Sequence, residues 1–518
     1  MKANLLAYLS KSNFLLLLGG GSLLLLHHFV GFFGHYGYDD MLYAQLANDL
    51  AHARLDLHGE HFAYRWGLIA PLALLYRCFG ISDHVSAIPA LLYTFGSFFL
   101  MLDLLRKDSL EAKCWATLLF FTSSWTLFYS DKLMTDVPMA FWITLSIWAY
   151  LKTDWGDRRR ALFFAAGLLG AFCCKETVIL TFPCWLILFF YDFYKKNDRK
   201  FWLQSVLFAV IFFTIYFLFI YFLTGNIGTR FQTIRLNSYL NDCSYDVLPL
   251  KIVLERIGFV LWKILLENGI LLSGLLAVTF FSPRHRREWI LTVALLMSAN
   301  FMTISPSSYI PMCTDPRHYL YLVPFLAFVS AKALSQNKFF TTIFYAIFLA
   351  IVSSVLLKMG ASPLWQIYAA ASALMCLKVS KNTVIHRFAW IGILGILCVH
   401  FGLLMQKNIK NNPYSENKKN EIAWINSLEK NAIILTDKIT VNVATYWYRF
   451  EPQGRTFEDY TKFLPEKMDV SRPYYVLHNG NSFSFTGKNW ENIQENCRQK
   501  LDQQPKLLQA GTLLGVKY

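Results

Sequence analysis

The sequence predicts an α-helical polytopic membrane protein with a small soluble α/β domain at its C-terminal end. Three observations predict this. The 518 residues are 55% hydrophobic and 17% aromatic but only 16% charged. Apolar runs of about 15–23 residues recur from Phe14 to Met405, the length a helix needs to cross a bilayer core about 30 Å thick. From about residue 406 the chain turns polar and stays so. The division is therefore a membrane domain at 1–405 and a soluble domain at 406–518.

The net charge of +15 invites a nucleic-acid reading, but its distribution argues against one. Much of it lies in short loops: Arg106-Lys107, Arg158-Arg159-Arg160, Lys195-Lys196, Arg199-Lys200, and Arg284 with Arg286-Arg287. This is the positive-inside pattern and marks those loops as cytoplasmic. The first apolar run, Phe14 to Phe33, lacks a small-residue cleavage site and reads as a retained helix rather than a signal peptide.

With Lys2 and Lys11 inside, that helix delivers Gly37-Tyr38-Asp39-Asp40-Met41-Leu42-Tyr43 to the outer side. A short helix from Asp39 to about Ala53 follows. Two apolar stretches, 65–80 and 84–104, precede Arg106-Lys107, and parity lets only one cross. The first carries Arg65 and Arg77, so it reads as an interfacial or re-entrant helix on the outer side. Further spans are expected at 113–129, 137–151, 161–174, 177–191, 201–223, 258–281, 288–305, 318–335, 339–357, 362–378 and 387–405. That is about thirteen in all, with the N-terminus inside and the C-terminal domain outside. The external loops then fall at 34–83, 130–136, 174–176, 224–257, 306–317 and 358–361.

Residues 406–420 read as a polar linker. Beyond it, Glu421 to Lys430 is helical, Ala432 to Thr436 a strand ending at Asp437, Tyr474 to Leu477 a second strand, Trp490 to Lys500 a helix, and Leu507 to Tyr518 one or two strands. No glycine-rich phosphate loop follows the first strand, so no nucleotide is assigned. The ten cysteines show no metal-type spacing. Cys243 and Cys313 fall in external loops, where they could pair.

The chemistry-bearing residues lie in or beside those external loops. Asp39 and Asp40 at a membrane interface could serve as a general base or hold a cation. Equally, Asp39 could cap the following helix with Asp40 in its first turn. Asp136, in Thr135-Asp136-Val137-Pro138, has the look of a helix N-terminus, or of a second carboxylate on the same face. Lys175-Glu176 interrupts an apolar region; Lys175 could meet a lipid phosphate, or pair with Glu176 or snorkel. Arg65 is open to the same two readings. Glu60 with His58 or His61 could hold a divalent metal, although two or three ligands make an incomplete set. In Asp315-Pro316-Arg317-His318-Tyr319, Arg317 suits a phosphate or carboxylate, or anchors the helix together with Tyr319 and Tyr321.

The order of these motifs resembles that of the C-type (GT-C) glycosyltransferases that use polyprenyl-phosphate sugars. It comprises a first helix, an acidic pair, an external amphipathic stretch, Thr-Asp-x-Pro opening a helix, Lys-Glu after a short helix, and Arg317-His318-Tyr319-Leu320-Tyr321-Leu322-Val323-Pro324. Over about residues 10–405 the chain is similar to protein O-mannosyltransferase-like proteins and lipid A aminoarabinose transferases. The tail resembles the external α/β domain that follows the last span in some members. The resemblance implies that Asp39 is the catalytic acid-base residue, Asp40 its neighbour and Asp136 the second-loop aspartate. It implies phosphate or substrate contacts for Lys175 and Arg317, with Glu176, His318 and Tyr319 beside them. Where the family often has His/Lys-Pro-Pro, this chain has Ala63-Tyr64-Arg65-Trp66-Gly67, so Arg65 stands in as the basic group.

The implied activity is sugar transfer from a polyprenyl-phosphate carrier to a lipid, glycan or protein acceptor on the outer face of a bacterial inner membrane. No cofactor is assigned, and a divalent metal is left open. The competing class is a transporter or flippase of lipid-linked sugars. It suits intramembrane charges and broken helices, but these charges cluster on one face rather than at the midplane, and no repeat is evident. A non-catalytic scaffold would leave the acidic and basic motifs unexplained.

Overall fold

The computed structural model describes residues 11–335 apart from 33, 36, 236–244, 246–247, 262, 265–285, 304–308 and 314, scattered positions between 343 and 406, and residues 414–518 apart from 481–494 and 511–512. Among the described residues, five helices are long and apolar enough to cross a membrane: Ser12–Gly31, Asp83–Leu104, Glu176–Tyr194, Arg199–Thr224 and Pro316–Ser335. The chain is built as an integral membrane protein. Most of the expected spans at 258–281, 339–357, 362–378 and 387–405 lies outside the described residues.

The helical body begins with α1 (Lys11–Gly31), which leads through two glycines with positive φ, Gly34 and Gly37, to α2 (Asp39–Ala51). A 3-10 turn at His61–Tyr64 precedes α3 (Trp66–Phe79). At 1.5 Å per residue, its 14 residues extend only about 21 Å, short of a hydrocarbon core. Next comes α4 (Asp83–Leu104), capped by the Ser82 hydroxyl accepting from the Val85 amide. The expected span at 113–129 is broken instead, into α5 (Leu110–Thr122) and α6 (Ser124–Tyr129). The break falls in the Thr122-Ser123-Ser124 run, where the Ser123 hydroxyl caps the second piece.

α7 (Asp136–Leu151) and α8 (Asp157–Cys174) pack closely, because a Cβ on Gly167 would meet Ser146 and one on Gly170 would meet the Trp142 ring. A 3-10 turn (Glu176–Thr181) leads into α9 (Phe182–Tyr194). α10 (Arg199–Thr224) exposes one long apolar face, from Leu203 through Val210 to Phe222, as a lipid-facing helix does. α11 (Thr229–Arg235), α12 (Leu250–Glu255) with a π turn at Arg256–Val260, and α13 (Arg286–Phe301) follow. A 3-10 turn at Pro316–Leu322 opens α14 (Val323–Ser335), which is almost wholly buried. Cys313 is disulfide-bonded; Cys243 lies outside the described residues.

The C-terminal portion starts with α15 (Tyr414–Ser427), seven residues before the expected helix and inside the stretch read as a linker. Tyr414 and Lys418 explain the earlier start, since both bond Asp83 of α4. A five-stranded sheet in the order β2-β1-β3-β5-β4 follows, formed by β1 (Ile433–Thr436), β2 (Thr456–Asp459), β3 (Tyr474–Asn479), β4 (Leu508–Ala510) and β5 (Leu513–Lys517). β1 runs parallel to β2 and β3, whereas β5 is antiparallel to β3 and β4. Ile434, Tyr475 and Leu477 pack on α15 through Trp424, Ile425 and Leu428. The alternate residues Ile433, Leu435, Tyr474 and Val476 pack with Cys497 and Leu501 of α17 (Glu495–Gln503). Between β1 and β2 lies α16 (Lys438–Trp447), capped by Asp437. Neither β2 nor α16 is expected from the sequence.

One group in this portion is costly. Glu421 is fully buried, and neither carboxylate oxygen has a hydrogen-bond partner among the described residues. Burial, and secondarily the Asp437 carboxylate, push its carboxyl well above the usual range. A folded state that holds a proton the unfolded chain releases loses stability as pH rises above the unfolded value of about 4.3, by up to about 1.4 kcal/mol per pH unit. Hydrogen exchange of the Ile433–Thr436 strand should therefore quicken between pH 5 and 8, beyond the intrinsic pH effect, and Glu421→Gln should flatten that extra dependence. An identical dependence in the variant would mean that Glu421 is ionised in the fold.

Candidate active site

The acidic pair splits into two roles. The residue preceding α2 is Tyr38, and no side chain caps the helix. Asp40, not Asp39, makes the local bonds: its Oδ1 accepts from the amides of Tyr38 and Met41, each at 3.0 Å. Asp40 is buried. Asp39 is half exposed, and its Oδ2 stands 3.6 Å from the Arg317 guanidinium. The expectation that Asp39 caps the helix is therefore corrected. Asp40 secures the first turn, and this leaves the Asp39 carboxylate turned towards Arg317.

Asp136 sits in the first turn of α7, after Thr135, which makes no side-chain cap. The Asp136 Oδ1 accepts from Lys175 Nζ at 2.7 Å and lies 3.1 Å from His318 Nδ1. The Lys175 ammonium is also 2.8 Å from that ring nitrogen. All three side chains are buried. Asp136 does open α7, as its sequence context suggests, but the Lys175–Glu176 pairing does not form: Lys175 pairs with Asp136 and Glu176 with arginines. Lys175 is extended between α8 and the following 3-10 turn, with φ −160° and ψ 139°, which carries its side chain away from Glu176. Gly67 permits the close approach of α3 there, because a Cβ on it would meet Cys174 Sγ.

Glu176 instead joins two arginines. Its carboxylate lies 3.5 Å from Arg65 and 2.8 Å from Arg230 of α11. Arg65 donates to the Tyr43 hydroxyl on α2 and lies over the Phe62 ring at 4.3 Å. Arg230 stacks on Phe172 at 3.9 Å and donates to the Tyr216 hydroxyl at 2.7 Å. Arg317 also pairs with Asp315 at 3.3 Å. Side-chain contacts and two pairs of chain neighbours, Arg317-His318 and Lys175-Glu176, thus link Asp39, Arg317, His318, Asp136, Lys175, Glu176 and Arg65.

Tyr319 belongs elsewhere. Its hydroxyl accepts from Arg256 at 3.0 Å, and the same guanidinium donates to the Met312 carbonyl and to Asn300. Arg256 and Arg230 are buried charges that the sequence reading passed over. The signal available was an arginine inside the apolar stretch beginning at Leu250. The Glu60–His61 pair does not gather a third ligand: among the described residues, no three His, Cys, Asp or Glu side chains stand together as a metal site. The His61 ring is 3.4 Å from the Arg65 guanidinium. Burial, then Arg65, lower its pKa to about 4, so the ring is neutral at pH 7.

No family model matches the sequence, and no curated protein matches it. The fold nevertheless has solved counterparts. ArnT from Cupriavidus metallidurans in the apo state superposes with a TM-score of 0.61 at 12% identity, over 94% of each chain. The same ArnT bound to undecaprenyl phosphate superposes with a TM-score of 0.60 at 13% identity, over 98% of each chain. The chain shares its fold with these ArnT structures.

The split between the aspartates has a measurable consequence. Asp136→Ala leaves Lys175 and His318 buried without their counter-charge, a change that costs about 3–5 kcal/mol in comparable buried pairs. Asp39→Ala removes a half-exposed carboxylate that accepts from no backbone amide among the described residues. Thermal denaturation in detergent should show a large drop for the first and little change for the second. Equal drops would place Asp39 in the structural core of the site.

Proposed function

We propose that the protein is an integral-membrane glycosyltransferase that moves a sugar from a polyprenyl-phosphate carrier to a lipid, glycan or protein acceptor. The active site lies on the outer face of the membrane, which in a bacterium is the periplasmic face of the inner membrane. About thirteen spans and an external α/β domain at 406–518 complete the proposed topology. The observation that carries this reading is Asp39, a carboxylate released from helix capping and held 3.6 Å from Arg317, beside the buried Asp136–Lys175–His318 cluster. The shared fold with an ArnT that binds undecaprenyl phosphate supports the choice of carrier.

In the proposed reaction the acceptor oxygen or nitrogen attacks the anomeric carbon, and the bond from that carbon to the carrier phosphate oxygen breaks. Asp39 takes the acceptor proton. The leaving polyprenyl phosphate gains charge, which fixed cations at a dry interface stabilise. Arg317, Lys175 and Arg65 are the cations we assign to it. Asp136 sets the position of Lys175 and His318. Glu176 balances Arg65 and Arg230, so their side chains stay in place when no phosphate is bound. The ordering of groups before the substrate arrives is what makes such stabilisation effective.

Asparagine nearly matches aspartate in shape but cannot take a proton. Asp39→Asn should abolish transfer from a polyprenyl-phosphate sugar in membranes, by at least about 100-fold, with protein level unchanged. Asp40→Asn should be milder, because the asparagine Oδ1 still accepts from both backbone amides. Full activity in Asp39→Asn would remove the general-base role. For the topology, a single cysteine replacing Glu466, an exposed residue of the C-terminal portion, should react with an impermeant maleimide added from outside. Protection there, with labelling only after permeabilisation, would put the α/β portion on the cytoplasmic side and separate it from the proposed active face.

A further inference from the structure

The C-terminal portion meets the helical body at the segment that carries the acidic pair. Gly34 and Gly37, both at positive φ, approach it closely, because a Cβ on Gly34 would meet the Tyr414 ring and one on Gly37 would meet Ile439. The Gly37 carbonyl accepts from Asn442 Nδ2 of α16 at 2.8 Å. Tyr446 of α16 bonds Ser86 of α4 at 2.8 Å, and Ser86 in turn bonds Tyr76 of α3.

At the centre of this contact is Asp83. It is not needed as a cap, since Ser82 fills that role. Its carboxylate instead gathers three groups from two parts of the chain. Lys418 Nζ donates at 2.7 Å and the Tyr414 hydroxyl at 3.1 Å, both from α15. His35 Nε2 is at 3.2 Å, from the segment before α2. The other His35 nitrogen, Nδ1, lies 3.8 Å from Asp40 Oδ2, and both of those side chains are buried. The Tyr446 and Tyr414 rings enclose the imidazole edge-on at 4.9 and 5.9 Å. Asp40 then holds the amides on either side of Asp39.

We propose that the C-terminal α/β portion is a positioning part of the active site, acting through Lys418, Asp83 and His35 on Asp40 and so on the Asp39 carboxylate. None of the three touches the reacting atoms. Their effect is to fix where the base stands relative to Arg317. This inference rests on the glycosyltransferase reading only for its catalytic arm; the restraint on residues 34–43 is a statement about the fold.

The experiment uses the full-length protein in detergent or nanodiscs. Asp83→Ala and Lys418→Met are compared with wild type, with Lys418→Arg as the conservative variant. Lys418 is partly exposed, so its replacement leaves the core intact. Two quantities are read: hydrogen exchange of the peptide spanning 34–43, and kcat and KM for transfer from a polyprenyl-phosphate sugar, per folded molecule. Exchange at 34–43 should rise in Asp83→Ala and Lys418→Met. kcat should fall by roughly 10- to 100-fold, the scale of an ångström-level misplacement, with donor KM within about twofold. Lys418→Arg should restore both. A purely structural role would lower the yield of folded protein and leave kcat per folded molecule unmoved. Unchanged exchange and unchanged kcat in both variants would overturn the proposal, and so would a rise in KM alone. A wild-type protein that transfers no sugar would overturn the function reading, and exchange at 34–43 would still decide the restraint.

Discussion

The contact between Asp136 and Lys175 is the constraint around which the helical body is arranged. A lone ammonium or carboxylate is costly in a low-dielectric interior, so the two must meet or neither can be buried there. Meeting requires three separate backbone features. α7 must start at Asp136, α8 must end at Cys174 so that Lys175 can extend, and the chain after Pro316 must turn to present His318. Each of these is a break in helical structure. Helix termini and 3-10 turns are the places where backbone groups are already free of the regular ladder, and the site is assembled from three of them.

Much of the organisation was legible in the sequence because burial in a membrane forces a simple code. Apolar length marked the helices now seen at Lys11–Gly31, Asp83–Leu104 and Arg199–Thr224. Proline and an adjacent polar residue marked the start at Asp136. Partner choice was not legible. The neighbour rule that would pair Lys175 with Glu176 fails because consecutive residues across an extended break point in opposite directions. The same failure hid Arg230, Arg256 and Asp83, whose partners are 54, 63 and 335 positions away. Their roles come from tertiary closure, which no local pattern encodes. The strand at Thr456–Asp459 was missed for a related reason: its alternation is weak, and its parallel pairing with Ile433–Thr436 supplies the order that its own residues lack.

The two aspartates at the start of α2 show how one short sequence can serve stability and chemistry at once. In an isolated helix either carboxylate would suit the first turn, and both would favour the dipole. Here Asp40 takes both local amides, so the helix start does not depend on Asp39. A proton acceptor must be free to lose its existing partner when substrate arrives. A carboxylate committed to two backbone amides is poorly suited to that, whereas one facing a guanidinium at 3.6 Å is already oriented and still partly solvated.

That division also explains why the cations are arranged unequally. Arg65 and Arg230 share Glu176, and Lys175 is tied to Asp136, so each of these is balanced within the protein. Arg317 is held more loosely, by Asp39 at 3.6 Å and Asp315 at 3.3 Å, and is itself partly exposed. An incoming phosphate would compete for Arg317 more easily than for the buried set, because the pair it displaces is weaker and partly screened. Displacement of Asp39 from Arg317 by the donor phosphate would then leave the carboxylate without its cationic partner. In the proposed reaction, donor binding therefore frees Asp39 to meet the acceptor proton, and the Lys175 and Arg65 charges remain in place to receive the departing phosphate.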